Sequence, residues 1–159
     1  MEGPDTTSAG TACIRRIVMR QIAAYPLWLG NAGDERDYKR VLDTGIQAVV
    51  QLDAEEPVLE LPRDLIYCHF PLVDGSGNDR KRLQLAITTV ANLLEKKVPT
   101  LVVCGAGLSR SPVIAAAAIA LVFQQPADEC LKQVAEHFPA DVAPGMRVEV
   151  KRVVEAGTL

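Results

Sequence analysis

The hydrophobic positions of this chain fall into short apolar runs of five to eight residues, which are typical of buried strands. The clearest of these runs are Ile46–Leu52, Leu65–Leu72 and Thr100–Cys104. Strand-forming residues also occur between Ile14 and Leu29, where Pro26 and Gly30 are expected to break the strand. The pattern predicts several short strands spread along most of the chain.

Longer segments between these runs repeat their apolar side chains at the three- and four-residue spacing of a helix. Asp79–Lys97 shows it best, because Leu83, Ile87, Val90 and Leu94 share one face. Further helices are predicted over Asp34–Thr44, from Ser111 to Phe123 and around Leu131–Phe138. The apolar residues of Pro144–Ala156 fit the spacing of a strand as well as that of a helix, and we predict a helix there. Strands that alternate with helices predict an α/β domain, with a central, mostly parallel sheet flanked by helices on both faces.

Composition narrows the class of protein. The 159 residues suffice for one domain, and 48% apolar residues exclude a disordered chain. We expect residues 1–12, rich in Gly, Ser, Thr and Pro, to be a flexible tail and residues 13–159 to form a single domain. The net charge of −3 and only seven aromatic residues disfavour nucleic acid and anionic membranes as partners.

The N-terminus and the cysteines indicate a cytoplasmic protein with reduced thiols. Met-Glu-Gly-Pro-Asp is followed by no apolar run, so no secretory signal is predicted. The longest apolar stretch, Pro112–Phe123, has twelve residues, whereas a membrane span needs about 20. The four cysteines are Cys13, Cys68, Cys104 and Cys130, which are widely separated and form no C-x-x-C pair. We therefore expect no metal site, and we expect no cofactor either.

Candidate chemistry is concentrated where the run Thr100–Cys104 ends and an apolar helix begins. Gly105 and Gly107 allow a tight turn with inward-pointing amides, and such amides at a helix N-terminus bind anions. Arg110 can hold two phosphate oxygens, and the same positive field stabilises the thiolate form of Cys104. The residues therefore predict a nucleophile beside a phosphate-binding loop. The alternative is a glycine-containing junction that serves packing, with an inert cysteine.

The loop sequence C-G-A-G-L-S-R-S, starting at Cys104, resembles the C-x5-R-S/T loop of cysteine-based protein phosphatases, in particular the dual-specificity branch. The segment Leu27–Leu52 is similar to the opening block of that family. Phe70–Asp74 is similar to its general-acid loop and ends 104 − 74 = 30 residues before the cysteine. Low-molecular-weight phosphatases and arsenate reductases share the loop, but they carry it after the first strand and their acid near the C-terminus. The order in this chain favours the dual-specificity branch.

The resemblance implies specific roles for the loop residues. Cys104 attacks phosphorus to form a thiophosphoryl-enzyme, and Arg110 binds the phosphoryl oxygens together with backbone amides. Those amides belong to Gly105, Ala106, Gly107, Leu108, Ser109 and Arg110. Ser111 is expected to donate a hydrogen bond to the sulfur; the alternative is a helix N-cap, with Pro112 as the first helical residue.

Asp74 is the expected general acid, since a leaving alkoxide or phenolate needs a proton. The alternative for Asp74 is an ordinary turn aspartate before glycine. Asp79 is the other candidate acid, but it stands where the following helix needs an N-cap.

The chain departs from the family in having Val103 where a histidine usually precedes the cysteine. Of its two histidines, His69 is expected to pack in or beside the sheet and His137 to lie on a solvated helix face.

The resemblance implies a cysteine-dependent phosphomonoester hydrolase that acts on phosphorylated Tyr and Ser/Thr of proteins without a metal. The sequence does not determine the oligomeric state, and our expectation is a monomer. The neutral stretch Gly105–Ser109 favours phosphoproteins, because phosphoinositide-directed relatives carry basic residues there. Alternatives are a non-catalytic phosphate-binding pseudophosphatase, which Val103 favours, and, more remotely, a sulfur-transfer domain of rhodanese type. A small domain of this length also predicts a shallow pocket.

Overall fold

The computed structural model describes residues 19–31, 33–34 and 37–157, which contain a five-stranded sheet. Its strands are β1 (Arg20–Gln21), β2 (Leu27–Asn31), β3 (Ala48–Asp53), β4 (Ile66–Leu72) and β5 (Thr100–Cys104). The spatial order is β1-β2-β5-β3-β4, with β1 antiparallel at one edge and all other neighbours parallel. The predicted, mostly parallel sheet is confirmed, whereas the tail predicted over residues 1–12 lies outside the described residues.

Helices cover the sheet as the α/β prediction requires. They are α1 (Tyr38–Asp43), α2 (Arg80–Glu95), α3 (Arg110–Phe123), α4 (Ala127–His137) and α5 (Pro144–Glu155). The larger apolar core lies between one face of the sheet and α2–α5. A smaller cluster on the other face joins Val41 of α1 to Val49, Leu101 and Val103 of the central strands. The helix over the ambiguous C-terminal segment is confirmed, with its buried residues facing the core.

The centre of the fold is the pair formed by β5 and α3. All five residues of β5 are buried, as expected for a strand with neighbours on both sides. Every residue of α3 from Arg110 to Ala120 is buried as well, and its alanines allow close approach to its neighbours. Cys104, the last residue of β5, therefore lies at the carboxyl edge of the sheet in front of a buried helix N-terminus.

Two element boundaries differ from the sequence prediction. The strand break predicted at Gly30 is wrong, because β2 continues to Asn31. The missing side chain of Gly30 makes room for Asp34, whose carboxylate accepts a hydrogen bond from the Asn31 amide at 2.9 Å. Helix α1 begins at Tyr38 rather than near Asp34, since Asp37 is its N-cap and accepts from the Arg40 amide.

The cysteines that the structure describes, Cys68, Cys104 and Cys130, are free thiols, and Cys13 lies outside the described residues. Burial raises the pKa of Cys68 and of Cys130, which makes both thiols poor nucleophiles. Within the described part of the chain, no helix is long and apolar enough to cross a membrane.

Candidate active site

The sulfur of Cys104 lies at the N-terminus of α3. The side chain is almost fully buried, and the Ser111 amide donates to its Sγ atom at 3.4 Å. A helix N-terminus carries partial positive charge and unpaired amides, which together favour the binding of anions. The Oγ atom of Ser111 is buried and has no hydrogen-bond partner among the described residues. The amide of Ser111 thus binds the sulfur, and its buried hydroxyl is left without a described partner.

The N-cap alternative for Ser111 is wrong, because α3 begins one residue before it, at Arg110, and Ser109 is the N-cap. Even the Ser109 hydroxyl does not cap the helix; it accepts a hydrogen bond from the Ala143 amide at 3.0 Å instead. The hydroxyl of Ser111 therefore needs another explanation, and hydrogen bonding to the sulfur remains the prediction.

The loop between β5 and α3 turns at Gly107, which has a φ of +79°. A Cβ atom on this residue would lie 2.9 Å from the Gly30 carbonyl oxygen. Only glycine combines this left-handed conformation with so close a backbone contact. The end of β2 thereby supports the loop from one side.

The guanidinium of Arg110 is buried and held by Glu55, which follows β3. Its Nη1 atom donates to Glu55 Oε2 at 2.8 Å and to the Leu72 carbonyl at 2.9 Å, while Nη2 donates to Glu55 Oε1. Nε has no partner among the described residues. An arginine has five N–H donors, so Nε and the second hydrogen of Nη2 remain on one edge of the plane. Two neighbouring phosphate oxygens fit such an edge.

Glu55 and Arg110 form an ion pair in which the carboxylate and the guanidinium are both charged. Burial opposes the charge of Arg110, but the Glu55 hydrogen bonds, together with Cys104 and Asp74, keep its pKa above the ordinary value. The Arg110 hydrogen bonds hold the pKa of Glu55 below its usual range. Sequence reasoning missed Glu55; the available signal was the acidic stretch Asp53–Glu56 directly after a buried strand.

A buried polar network supports the same strand end. Asp53 is fully buried, and its Oδ1 atom accepts from Gln51 Nε2 at 2.8 Å. Burial raises the pKa of Asp53, and its Oδ2 atom has no partner among the described residues. His69 Nε2 lies 2.7 Å from the Asp53 carbonyl oxygen, which confirms that His69 packs within the sheet. Tyr67 adds its hydroxyl by donating to Gln51 Oε1.

Asp74 lies in the exposed loop after β4, near enough to Arg110 to contribute to the raised pKa of the guanidinium. Asn78 shapes this loop: its Oδ1 atom accepts from the Val73 amide at 2.8 Å, and its Nδ2 atom donates to the carbonyls of Val73 and Gly75. Asp79 caps α2 by accepting from the Lys81 amide. The structure thus groups Asp74 with Arg110 and gives Asp79 the capping role that its position predicted.

The residue before the cysteine faces away from the loop. Val103 is fully buried in the smaller apolar cluster, together with Met19, Val41 and Val49. A histidine at this position would place a polar ring among aliphatic side chains. His137, predicted to be solvated, is half-buried in the last turn of α4.

Comparisons with known proteins agree with this architecture. Residues 27–124 match the sequence profile of the family described as "polymorphic toxin system, DSP-PTPase phosphatase". No curated protein matches the chain in sequence. The crystal structure of human DUSP28 is 19% identical over 89% of this chain and 95% of its own, with a TM-score of 0.77.

Two further crystal structures show the same fold. The human tyrosine phosphatase-like serine/threonine/tyrosine-interacting protein is 18% identical over 91% of this chain and 100% of its own, with a TM-score of 0.77. DUSP15 is 22% identical over 89% of this chain and 90% of its own, with a TM-score of 0.76. At these identities the likeness concerns the fold.

Proposed function

Because the chain belongs to the polymorphic toxin system DSP-PTPase phosphatase family, we propose that it hydrolyses phosphomonoesters with Cys104 as the nucleophile. One observation carries the proposal: the Cys104 sulfur accepts from an amide in the first turn of α3, and Arg110, the first residue of that helix, has N–H donors without a partner among the described residues. An anionic phosphoryl group bound there would have its phosphorus next to the nucleophile. The substrates we propose are phosphorylated Tyr and Ser/Thr side chains of proteins, which a short neutral loop accommodates.

In the first step, Cys104 forms a bond to phosphorus while the bond from phosphorus to the ester oxygen breaks. The backbone amides from Gly105 to Arg110 and the free edge of the Arg110 guanidinium bind the three equatorial oxygens. Asp74 gives its proton to the departing oxygen, which leaves as the alcohol or phenol. The product that remains is a thiophosphoryl-enzyme.

In the second step, a water oxygen bonds to phosphorus while the bond between sulfur and phosphorus breaks. Asp74, now a carboxylate, accepts the proton of the water. The electron pair returns to the Cys104 sulfur as a thiolate, which the amide and hydroxyl of Ser111 stabilise. Inorganic phosphate leaves, and the enzyme is back in its starting state, with Cys104 as the thiolate and Asp74 carrying the proton taken from water.

A phosphate-binding protein without turnover is the second candidate. It is favoured by Val103, since the position before the cysteine supplies no hydrogen bond to the loop and is buried in an apolar cluster. The presence of Cys104, Arg110 and Asp74 together favours the enzyme.

The deciding experiment measures hydrolysis of 4-nitrophenyl phosphate in the presence of a chelator. We expect turnover by the wild type, none by Cys104→Ser, and retained phosphate binding by that variant. Asp74→Asn should slow the hydrolysis of phenyl phosphate, whose phenolate is a poor leaving group, by about 10²-fold or more. The hydrolysis of 4-nitrophenyl phosphate should be slowed much less. Asp79→Asn is the matched control. Full activity of Cys104→Ser would refute the mechanism, and binding without wild-type turnover would establish the second candidate.

A further inference from the structure

Helix α5 and the segment that leads into it contact both loops of the candidate site, the phosphate loop (residues 105–109) between β5 and α3 and the acid loop (residues 73–79) between β4 and α2. On the side of the phosphate loop, the Asp141 amide donates to the Leu108 carbonyl at 2.7 Å. Two residues later, the Ala143 amide donates to the Ser109 hydroxyl at 3.0 Å. The stretch 141–143 is therefore hydrogen-bonded to the phosphate loop immediately before α5 begins.

On the side of the acid loop, the contact is made by a carboxylate. Glu149 of α5 accepts from the Gly77 amide at 2.8 Å through Oε2 and from the Asn78 amide at 3.1 Å through Oε1. The first turn of α5 approaches the same loop, because a Cβ atom on Gly145 would lie 2.8 Å from the Cβ atom of Ser76. Both oxygens of Glu149 are thus used by consecutive backbone amides of the acid loop.

Apart from these contacts, the described hydrogen bonds within the acid loop come from the Asn78 side chain. Gly75 and Gly77 both adopt positive φ angles, and glycines lose the most conformational freedom when they become ordered. Asn78 encloses Asp74 by its hydrogen bonds to Val73 and Gly75. Because Glu149 binds the amide of Asn78 itself, the position of this enclosing side chain depends on α5.

We propose that Glu149 is a positioning residue that holds the loop bearing Asp74 at a fixed place relative to the phosphate loop. The proposal rests on the proposed function, since it assigns the general acid to Asp74. A carboxylate that accepts two backbone N–H groups makes charge-assisted bonds, which are stronger than neutral ones. Glutamine at this position keeps one acceptor oxygen and turns an NH2 group toward the second amide. Glu149→Gln should therefore release the acid loop while α5 remains folded.

The test compares leaving groups in four proteins: wild type, Glu149→Gln, Asp74→Asn and the double variant. We expect Glu149→Gln to lower kcat/KM for phenyl phosphate about tenfold, part of the roughly 10²–10⁴-fold that a general acid contributes. For 4-nitrophenyl phosphate the loss should stay below about twofold, since that leaving group needs less protonation. In the Asp74→Asn background, Glu149→Gln should have no further effect.

Two additional measurements separate positioning from a merely structural role. The inhibition constant of inorganic phosphate should be unchanged in Glu149→Gln, because the phosphate loop keeps its own contacts to residues 141–143. Hydrogen exchange of the Gly77 and Asn78 amides should become faster in Glu149→Gln. Glu155→Gln, on the same helix, where Glu155 Oε1 lies 4.0 Å from Nζ of the exposed Lys151, is the control and should change neither quantity.

The outcomes are distinct. Equal losses for both leaving groups, or a further loss in the Asp74→Asn background, overturn the positioning role and leave the proposed function intact. Absence of wild-type turnover overturns the proposed function and, with it, the catalytic part of this proposal. Unchanged amide exchange in Glu149→Gln overturns the proposal by itself, whatever the activity.

Discussion

Replacing Glu55 with glutamine is expected to weaken phosphate binding and catalysis together. In the wild type, Glu55 binds Nη1 and Nη2 of the Arg110 guanidinium and the Leu72 carbonyl accepts a further hydrogen of Nη1, so the orientation of the guanidinium is fixed before a substrate binds. Glutamine has nearly the same size but offers a single acceptor and no charge. Arg110 in Glu55→Gln must then be ordered by the substrate itself, which reduces affinity.

The magnitude follows from the exposure of the pair. A hydrogen bond to a charged group contributes roughly 1.5–3 kcal/mol. The Arg110 side chain is 5% exposed, but that of Glu55 is 56% exposed, so solvent screening favours the lower end of this range. A loss of about 1.4 kcal/mol corresponds to a factor of about ten. We therefore expect kcat/KM for 4-nitrophenyl phosphate to fall about tenfold and the phosphate inhibition constant to rise by a similar factor.

The pH dependence adds a second, independent readout. The hydrogen bonds from Arg110 lower the pKa of Glu55 from its ordinary value of 4.5. The ion pair is therefore fully formed above pH 4.5, and it is lost as the pH falls through the lowered pKa that Glu55 has in the folded protein. The difference between the wild type and Glu55→Gln should therefore be constant over roughly pH 5–8 and shrink in more acidic solution. Steady-state kinetics across this range, with phosphate as inhibitor, measure both effects.

Glu60→Gln, at an exposed glutamate in the same connection between β3 and β4, is the matched control and should behave like the wild type. Tighter phosphate binding by Glu55→Gln would refute the reasoning, because it would mean that Glu55 competes with phosphate for the guanidinium. Unchanged kinetics would also refute it, since the orientation of Arg110 would then be set by other contacts.

Two further substitutions test the surroundings of the loop. Gly107→Ala should lower the free energy of unfolding by more than the roughly 1–2 kcal/mol of a left-handed alanine, because its Cβ atom would meet the Gly30 carbonyl. Gly45→Ala is the control, because Gly45 has a similar φ and open space around it, and it should lower the free energy of unfolding only by that amount. Equal losses of unfolding free energy for Gly107→Ala and Gly45→Ala in urea denaturation would contradict the packing argument. Val103→His should destabilise the fold by about 1–3 kcal/mol without raising kcat, since the imidazole would enter an apolar cluster. Val103→Ile is its control, and a faster, equally stable histidine variant would disprove this explanation.

The centre of the fold could be predicted from the sequence because its signals are local. The apolar strand ending at Cys104, the glycines after it and the helix up to Phe123 are adjacent in the chain, and each is indicated by its own composition. The helix starting at Pro144 is harder to predict, since its apolar residues fit the period of a strand as well as that of a helix. Burial of Met146, Val150 and Val153 along one helical face resolves the ambiguity.

The partners of the loop were not predicted, because they are distant in sequence, and the acidic stretch that contains Glu55 does not by itself indicate a contact with Arg110. Glu55 is an ordinary surface glutamate by composition, yet parallel pairing of β3 with β5 brings the end of its strand next to Cys104. Glu149 belongs to a helix whose charged residues resemble a solvated face. Long-range pairing decides these contacts, and the local patterns in the sequence do not show which strands become neighbours.

The contacts of α5 have a consequence for the boundaries of a minimal active fragment. The region that matches the family profile ends at residue 124, before Asp141 and Glu149. A fragment shortened to residue 140 would retain the cysteine, the arginine, the acid loop and all five strands, but it would lack the hydrogen bonds that hold the two loops. Limited proteolysis within α5 should therefore change the relative position of the two loops, although it removes none of the proposed catalytic side chains.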